Sequence, residues 1–155
     1  MPIFKFFMLT VIAVLLLQPV SGNPAYAFQQ QDAPGAFTDQ IATRLLDQIK
    51  EGLEGHMAKK TLGSFDLSRM TAGPAFRNQI TAFMNQYETV RIHFNLLETS
   101  TTGAEATALV DMEMEQNLSG DVSAPVRKHA QIRFTAQSGT KGWRFTDVQP
   151  RSFFS

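Results

Sequence analysis

The chain of 155 residues contains no cysteine. This absence excludes disulfide bonds, thiol catalysis and a membrane anchor built on a lipid-modified cysteine. An excess of charge of one sign is also missing, because 14 basic residues balance 14 acidic residues. Without a net positive field the chain has no general attraction to nucleic acid or to an anionic membrane, so neither is predicted as a partner.

Familiar catalytic and cofactor motifs are missing as well. The sequence has no Gly-x-Ser-x-Gly elbow, no phosphate-binding loop and no dinucleotide fingerprint. Its three histidines are His56, His93 and His129, and no two of them have the i, i+4 spacing of a metal site on a helix. We therefore predict no cofactor and no metal site.

The main apolar run covers residues 6–17 and is shorter than the roughly 20 residues that a transmembrane helix needs. Lys5 precedes the run, and Ala25-Tyr26-Ala27 places alanine at the two positions that a signal peptidase reads. This layout predicts a signal peptide over residues 1–27. Cleavage near Ala27 would export the protein to the periplasm or the cell exterior and leave no stable membrane anchor. An uncleaved anchor is the alternative.

The remaining chain is predicted to form one domain. Residues 28–37 are rich in glutamine and contain turn-forming residues, which predicts a flexible linker. Residues 38–155 suffice for one domain and leave no room for a second of ordinary size.

The first half of this domain has the periodicity of helices. Apolar residues recur every four positions from Ile41 to Met57, and Thr38 is placed to cap the start of that helix. A short helical piece is predicted near residues 55–62. A further helix opens at Gly73-Pro74 and ends near Tyr87.

Beyond residue 88 the hydrophobic period changes from about four to two, which indicates strands. Alternating segments cover residues 90–96, 106–114, 126–136 and 143–145, with turn residues between them. The second segment has a composition that favours helix, but its alternation favours strand. Helices followed by a four-stranded meander predict an α+β domain in which the helices pack on a curved antiparallel sheet.

The side chains predicted to lie on the outer face of the sheet change their sign of charge from strand to strand. Opposite charges on neighbouring strands stabilise a sheet by about 0.2–1 kcal/mol per pair and fix its register. The side chains are Arg91 and His93, then Asp111, Glu113 and Glu115, then Arg127, His129 and Arg133. We interpret this pattern as structural.

Two stretches carry a resemblance to a known family. The first is Phe76-Arg77-Asn78-Gln79-Ile80 leading through Phe83 and Tyr87 into Val90-Arg91-Ile92, and the second is Gly142-Trp143-Arg144-Phe145 leading to Pro150-Arg151-Ser152-Phe153-Phe154. With helices ahead of a curved sheet, residues 38–155 resemble the nuclear transport factor 2-like, or cystatin-like cone, superfamily. The resemblance implies a pocket inside the cone and a homodimer formed through the sheet. The superfamily includes isomerases, dehydratases, transport factors and exported proteins without an assigned role.

Enzymes of that superfamily place acids, a tyrosine or a histidine on the inner surface. Here Glu98 and Asp147 fall on the inward parity, and Tyr87 is predicted to lie near them. A carboxyl group at an apolar pocket would have a raised pKa and could act as a general acid or base. The alternative is that both carboxylates are solvated at strand ends.

The rest of the inner surface is apolar. It could line a pocket for a lipid-like molecule, because methionine adapts to irregular apolar ligands, or it could form a dry core. The residues concerned are Phe94, Met112, Met114, Phe134 and Trp143. The leading hypothesis is an exported, non-enzymatic domain that binds an apolar small molecule or a protein partner. The alternatives are a small isomerase- or dehydratase-like enzyme and a periplasmic lipid carrier.

Overall fold

The computed structural model describes residues 35–120 and 124–155. The predicted signal peptide and residues 28–34 of the predicted linker lie outside the described residues. Helices come first and a four-stranded antiparallel sheet follows, which confirms the predicted α+β class. The elements are α1 (Asp39–Glu54), α2 (Ala58–Leu62), α3 (Gly73–Gln86), β1 (Tyr87–Thr102), β2 (Glu105–Leu118), β3 (Val126–Gly139), β4 (Gly142–Gln149) and the 3-10 helix η1 (Arg151–Phe154). No helix in these ranges is long and apolar enough to cross a membrane.

Helix α1 begins where the sequence predicts. The Oγ1 atom of Thr38 accepts a hydrogen bond from the backbone N–H of Ile41 at 3.3 Å, and Asp39 lies in the positively polarised first turn. The helix then buries one apolar stripe against the sheet. The buried apolar members of that stripe are Ala42, Leu45, Leu46, Ile49 and Leu53.

The sheet has the strand order β1-β2-β3-β4, so consecutive strands are neighbours. Its inner face is a continuous apolar layer, in which Val110 lies opposite both Leu96 and Ile132. Helices α1 and α3 cover this face and contribute the other half of the core. The largest side chains with almost no exposure are Phe76, Phe83, Phe134, Phe145, Phe154, Leu45, Leu46, Ile49, Leu53, Ile80, Ile92 and Met112.

The outer face has the predicted alternation of charge. Glu115 on β2 lies between Arg91 and Arg127, and its Oε1 atom lies 2.6 Å from Arg127 Nη2 in a salt bridge. Asp111 lies 2.8 Å from the Nε2 atom of His129. The Arg127–Glu115 pair is partly exposed, so it contributes about 0.2–1 kcal/mol and acts mainly on register.

A β-bulge at Leu97 reverses the alternation near the end of β1. Leu96 lies opposite Val110, whereas Glu98 lies opposite the next residue, Leu109, which leaves Leu97 as an extra residue in β1. Beyond the bulge, odd and even positions exchange faces. The prediction that Glu98 points into the cone is therefore wrong, and its side chain is exposed on the outer parity.

A second bulge has the same consequence in β4. Phe145 lies opposite Ala136 and Asp147 lies opposite Thr135, so Thr146 is the extra residue. Val148 takes the inward position, where it is completely buried. The prediction that Asp147 points into the cone is therefore also wrong.

The end of the predicted flexible linker is part of the folded domain. Phe37 is only 4% exposed, and its ring centroid lies 5.2 Å from that of Trp143. The indole Nε1 of Trp143 donates a hydrogen bond to the carbonyl oxygen of Gly35 at 2.7 Å. The linker prediction is wrong for residues 35–37, because a single aromatic side chain anchors them to β4.

Candidate functional site

The three residues proposed for catalysis are not brought together. Glu98 lies on β1 and Asp147 on β4, which are the two outermost strands of the four, and both side chains are on the outer parity. Tyr87 is buried at the start of β1, where its ring packs 4.9 Å from that of Phe83. Its hydroxyl accepts a hydrogen bond from Gln86 Nε2 at 3.3 Å. The arrangement gives no shared site for an acid and a tyrosine.

Asp147 is held as a carboxylate. Its Oδ1 atom accepts hydrogen bonds from Arg151 Nη2 at 2.7 Å and Nε at 3.3 Å, and its Oδ2 atom accepts from Gln149 Nε2 at 2.9 Å. Partial burial raises the pKa of Asp147, but these hydrogen bonds outweigh burial and bring the pKa below its usual value of 3.8. A general acid working near neutral pH needs the opposite shift.

The proposed ligand-lining residues occupy the filled interior of the cone. Met112, Met114, Phe134 and Trp143 are at most 5% exposed, and Phe94 is half-buried. The ring of Phe134 lies 4.6 Å from that of Phe145, a normal contact distance for aromatic pairs. Four clefts in the described part of the chain have none of the five residues in their walls.

The histidines are separate from one another. His93 and His129 lie on β1 and β3, with Glu113 of β2 opposite both, and His56 hydrogen-bonds through Nε2 to the carbonyl oxygen of Tyr87 at 2.8 Å. Within residues 35–120 and 124–155, no group of three or more His, Asp and Glu side chains is arranged to hold a metal ion.

Open space lies instead in a cleft of about 820 Å³ between the α2–α3 loop, residues 63–72, and the β3–β4 turn, residues 139–142. We call it the basic cleft. The loop is fixed to β4 because the N–H of Asp66 donates to the carbonyl oxygen of Phe145 at 2.8 Å and the N–H of Phe145 donates to that of Ser64 at 2.9 Å. The backbone is closely packed at the C-terminal end of the loop, since a Cβ on Gly73 would lie 2.1 Å from the carbonyl oxygen of Leu67.

The walls of the basic cleft carry five basic side chains and one acidic side chain. The basic residues are Lys59 on α2, Arg69 in the loop, Arg77 on α3, Lys141 in the turn and Arg144 on β4. A net charge of four positive units is therefore concentrated here, although the whole chain is neutral.

The acidic residue, Asp66, is already engaged. Its Oδ1 atom accepts hydrogen bonds from the Ser68 hydroxyl at 2.5 Å and the Ser68 N–H at 3.2 Å, and its Oδ2 atom lies 3.5 Å from Arg69 Nε. The Ser68 hydroxyl is the main cause of the lowered pKa of Asp66. Arg69 also donates through Nη1 to the carbonyl oxygen of Ser138 at 3.0 Å. Asp66 therefore leaves most of the positive charge uncompensated.

The basic cleft has an apolar floor. Phe65 is 6% exposed, and its ring contacts those of Phe76 and Phe145 at centroid distances of 4.9 Å and 5.8 Å. Leu62 and Leu67 are half-buried beside it. Sequence reasoning missed this site because its basic residues are spread over residues 59–144, and no local run of charge marks it.

Comparison with known proteins bears on the fold. No family model matches the chain, and no curated protein matches it at a significant level. A nuclear transport factor 2-like superfamily protein from Salmonella enterica matches at 12% identity with a TM-score of 0.63, over 70% of this chain and 86% of that chain. A candidate scytalone dehydratase from Novosphingobium aromaticivorans matches at 10% identity with a TM-score of 0.63, over 70% of this chain and 79% of that chain. A hexachlorocyclohexane dehydrochlorinase matches at 11% identity with a TM-score of 0.54, over 71% of this chain and 84% of that chain.

This chain has the nuclear transport factor 2-like fold. At these identities the likeness establishes the architecture and transfers no residue role. In this nuclear transport factor 2-like domain the cone interior is packed, and the basic cleft lies outside that interior, beside β4.

Proposed function

We propose that this chain is a non-enzymatic binding domain that uses its packed cone as a scaffold and the basic cleft as its binding surface. The observation that carries the proposal is the contrast between a filled interior and an open, charged cleft. Residues Met112, Phe134 and Phe145 are at most 1% exposed, whereas the cleft offers about 820 Å³. Small-molecule sites commonly have volumes of roughly 300–1,000 Å³.

The positions of the carboxylates support binding over catalysis. The bulges at Leu97 and Thr146 turn Glu98 and Asp147 away from the cone, and Arg151 holds Asp147 ionised. The interior then lacks the pocket acid on which the enzyme hypothesis depends. The lipid-carrier hypothesis needs an apolar cavity, and the side chains proposed to line it pack against one another instead.

Export is a separate part of the proposal. The charged start, the apolar run over residues 6–17 and Ala25-Tyr26-Ala27 support removal of a signal peptide and a location outside the cytoplasm. Pairing of two copies through the outer sheet face also remains a proposal, supported by the sheet-to-sheet pairing that the resemblance to the nuclear transport factor 2-like superfamily implies.

The packed interior can be tested with an apolar fluorescent probe such as Nile red, together with mass spectrometry of organic extracts of the purified protein. We expect no stoichiometric apolar ligand in either measurement. Phe134→Ala supplies the positive control, because removing a buried ring leaves a cavity that an apolar molecule can enter. Met112→Ala serves if the first variant does not fold. A stoichiometric apolar ligand in the unmodified protein would overturn the proposal and favour a carrier.

A further inference from the structure

We propose that the basic cleft binds a small organic anion, whose phosphate or carboxylate group contacts the cationic walls while an apolar group lies on the floor. This inference rests on the proposed function and names the class of ligand for the same site. It comes from the distribution of charge, the shape of the cleft and the nature of its floor.

Two charged surfaces of the molecule differ in how their charges are paired. On the outer sheet face, cationic and anionic side chains alternate. Glu115 and Asp111 on β2 each pair with a side chain on the neighbouring strand β3. In the basic cleft, Lys59, Arg77 and Lys141 form no salt bridge with a carboxylate anywhere in residues 35–120 or 124–155. Like charges in one cleft repel one another, and an anion between them removes that repulsion.

The basic side chains of the cleft suit a carboxylate or phosphate group. Arg69, Arg77 and Arg144 carry planar guanidinium groups, which match the oxygens of a carboxylate or phosphate with two parallel hydrogen bonds. Two of them have part of their geometry fixed, because Arg69 donates to the Ser138 carbonyl at 3.0 Å and Arg144 Nη1 donates to the Trp143 carbonyl at 2.8 Å. Fixed donors lose less side-chain entropy when a ligand binds.

The apolar floor of the cleft suits an apolar group attached to the anion. Inorganic phosphate would use the walls only and would leave the exposed parts of Leu62 and Leu67 in contact with water. A ligand with an apolar arm covers that surface and gains affinity in proportion to the apolar area that it buries. The recessed cleft of about 820 Å³ accommodates a ring or short chain with its acidic group, and this favours a small molecule over an extended polymer.

Isothermal titration calorimetry can test the ligand class with five probes: phenyl phosphate, phenylacetate, inorganic phosphate, phenol and polyglutamate. We expect at least one of the two amphipathic anions to bind about tenfold more tightly than inorganic phosphate and phenol, and to weaken as salt is added. The tighter of the two identifies the head group. Affinity for both amphipathic anions no greater than that for inorganic phosphate would overturn the role of the floor. Binding of polyglutamate alone would overturn the assignment to a small molecule.

A matched pair of variants locates the site. Arg77→Gln combined with Lys141→Gln removes two charges from the cleft and should weaken binding of the preferred anion about tenfold or more. Arg44→Gln combined with Lys50→Gln removes two charges from α1, outside the cleft, and should change affinity by less than about twofold. Equal losses in both variants would show general attraction to anions and overturn the site. If no anion binds while the interior still excludes apolar probes, this inference fails and the packed-scaffold part of the proposed function stands.

Discussion

The cone interior and the basic cleft both include Phe65, but they differ in packing and in charge. Phe65 packs on Phe76 and Phe145 of the core with one part of its ring, and the same residue forms part of the cleft floor. On the core side, aromatic and aliphatic groups fill the space. On the cleft side, cationic groups surround an open volume of about 820 Å³.

This difference separates stability from binding within one small domain. Burial of apolar side chains provides most of the free energy of folding, whereas exposed charges contribute little to it. Interior variants should therefore change the free energy of unfolding, and cleft variants should change affinity for anions.

Removing a large side chain from the interior should have the largest effect on stability. Phe134→Ala removes a fully buried ring that contacts Phe145 at 4.6 Å. We expect the free energy of unfolding, measured by urea denaturation, to fall by about 3–5 kcal/mol because a cavity replaces the ring. Val126→Ala is the control, since Val126 is 52% exposed, and it should change stability by less than about 0.5 kcal/mol. Similar small losses in both variants would mean that the interior is not packed.

A second variant removes a buried polar side chain from the interior and should raise the free energy of unfolding. Gln116 on β2 is 2% exposed, and its Oε1 atom has no hydrogen-bond partner in the described part of the chain. Gln116→Met keeps the shape of the side chain and should raise the free energy of unfolding by about 1–2 kcal/mol, because an unsatisfied buried acceptor is destabilising. The matched control, Gln131→Met, lies on the exposed outer face and should have almost no effect. A loss of stability in Gln116→Met would show that this amide has a structural partner.

Local patterns predicted the elements well, because their causes are local. Thr38 caps a helix through a bond to a residue three positions away, and alternation over residues 90–96 reflects a pleat that repeats every two residues. The side chains of His93 and Glu113 likewise lie opposite each other because the strands are consecutive and joined by a short turn. These features identify the fold without any distant contact.

The facing of Glu98 and Asp147 could not be predicted in the same way. Parity is counted from one residue to the next, so one extra residue reverses every position after it. Two signals were present in the sequence: Leu96 and Leu97 are consecutive apolar residues, and Val148 follows Phe145 by three positions where a regular strand would place it two or four away. Both mark the bulges seen in the sheet.

The basic cleft was beyond the reach of sequence patterns for a different reason. Its cations come from α2, the α2–α3 loop, α3 and the β3–β4 hairpin, and only the tertiary fold brings them together. Phe37 is similar, since one aromatic residue after a polar stretch has no period, and its burial depends on Trp143 more than 100 residues away.

Removing the carboxylate of Asp147, which lies beside the α2–α3 loop, should have the smallest effect on stability. Asp147 positions Arg151, whose Nη1 atom donates to the carbonyl oxygen of Thr71 at 2.8 Å near the end of the loop that walls the cleft. The side chains of Asp147 and Arg151 are 29% and 28% exposed, so solvent screens their attraction in part. Asp147 therefore links β4 to the loop and leaves the charge of the cleft unchanged.

Asp147→Asn should lower the free energy of unfolding at pH 7 by about 0.5–1 kcal/mol, and it should weaken anion binding less than Arg77→Gln with Lys141→Gln. The pKa of Asp147 is lower in the folded protein than its usual value of 3.8, so the stabilisation is present above that pH and is lost as the pH falls through the folded pKa. Denaturation of both proteins between pH 7 and about pH 3 should show their stabilities converging toward the acid end. Glu98→Asn, which removes an exposed carboxylate from β1, controls for loss of charge alone. A gap that persists unchanged in acid would mean that the Asp147 side chain stabilises the fold through its shape and not through its charge.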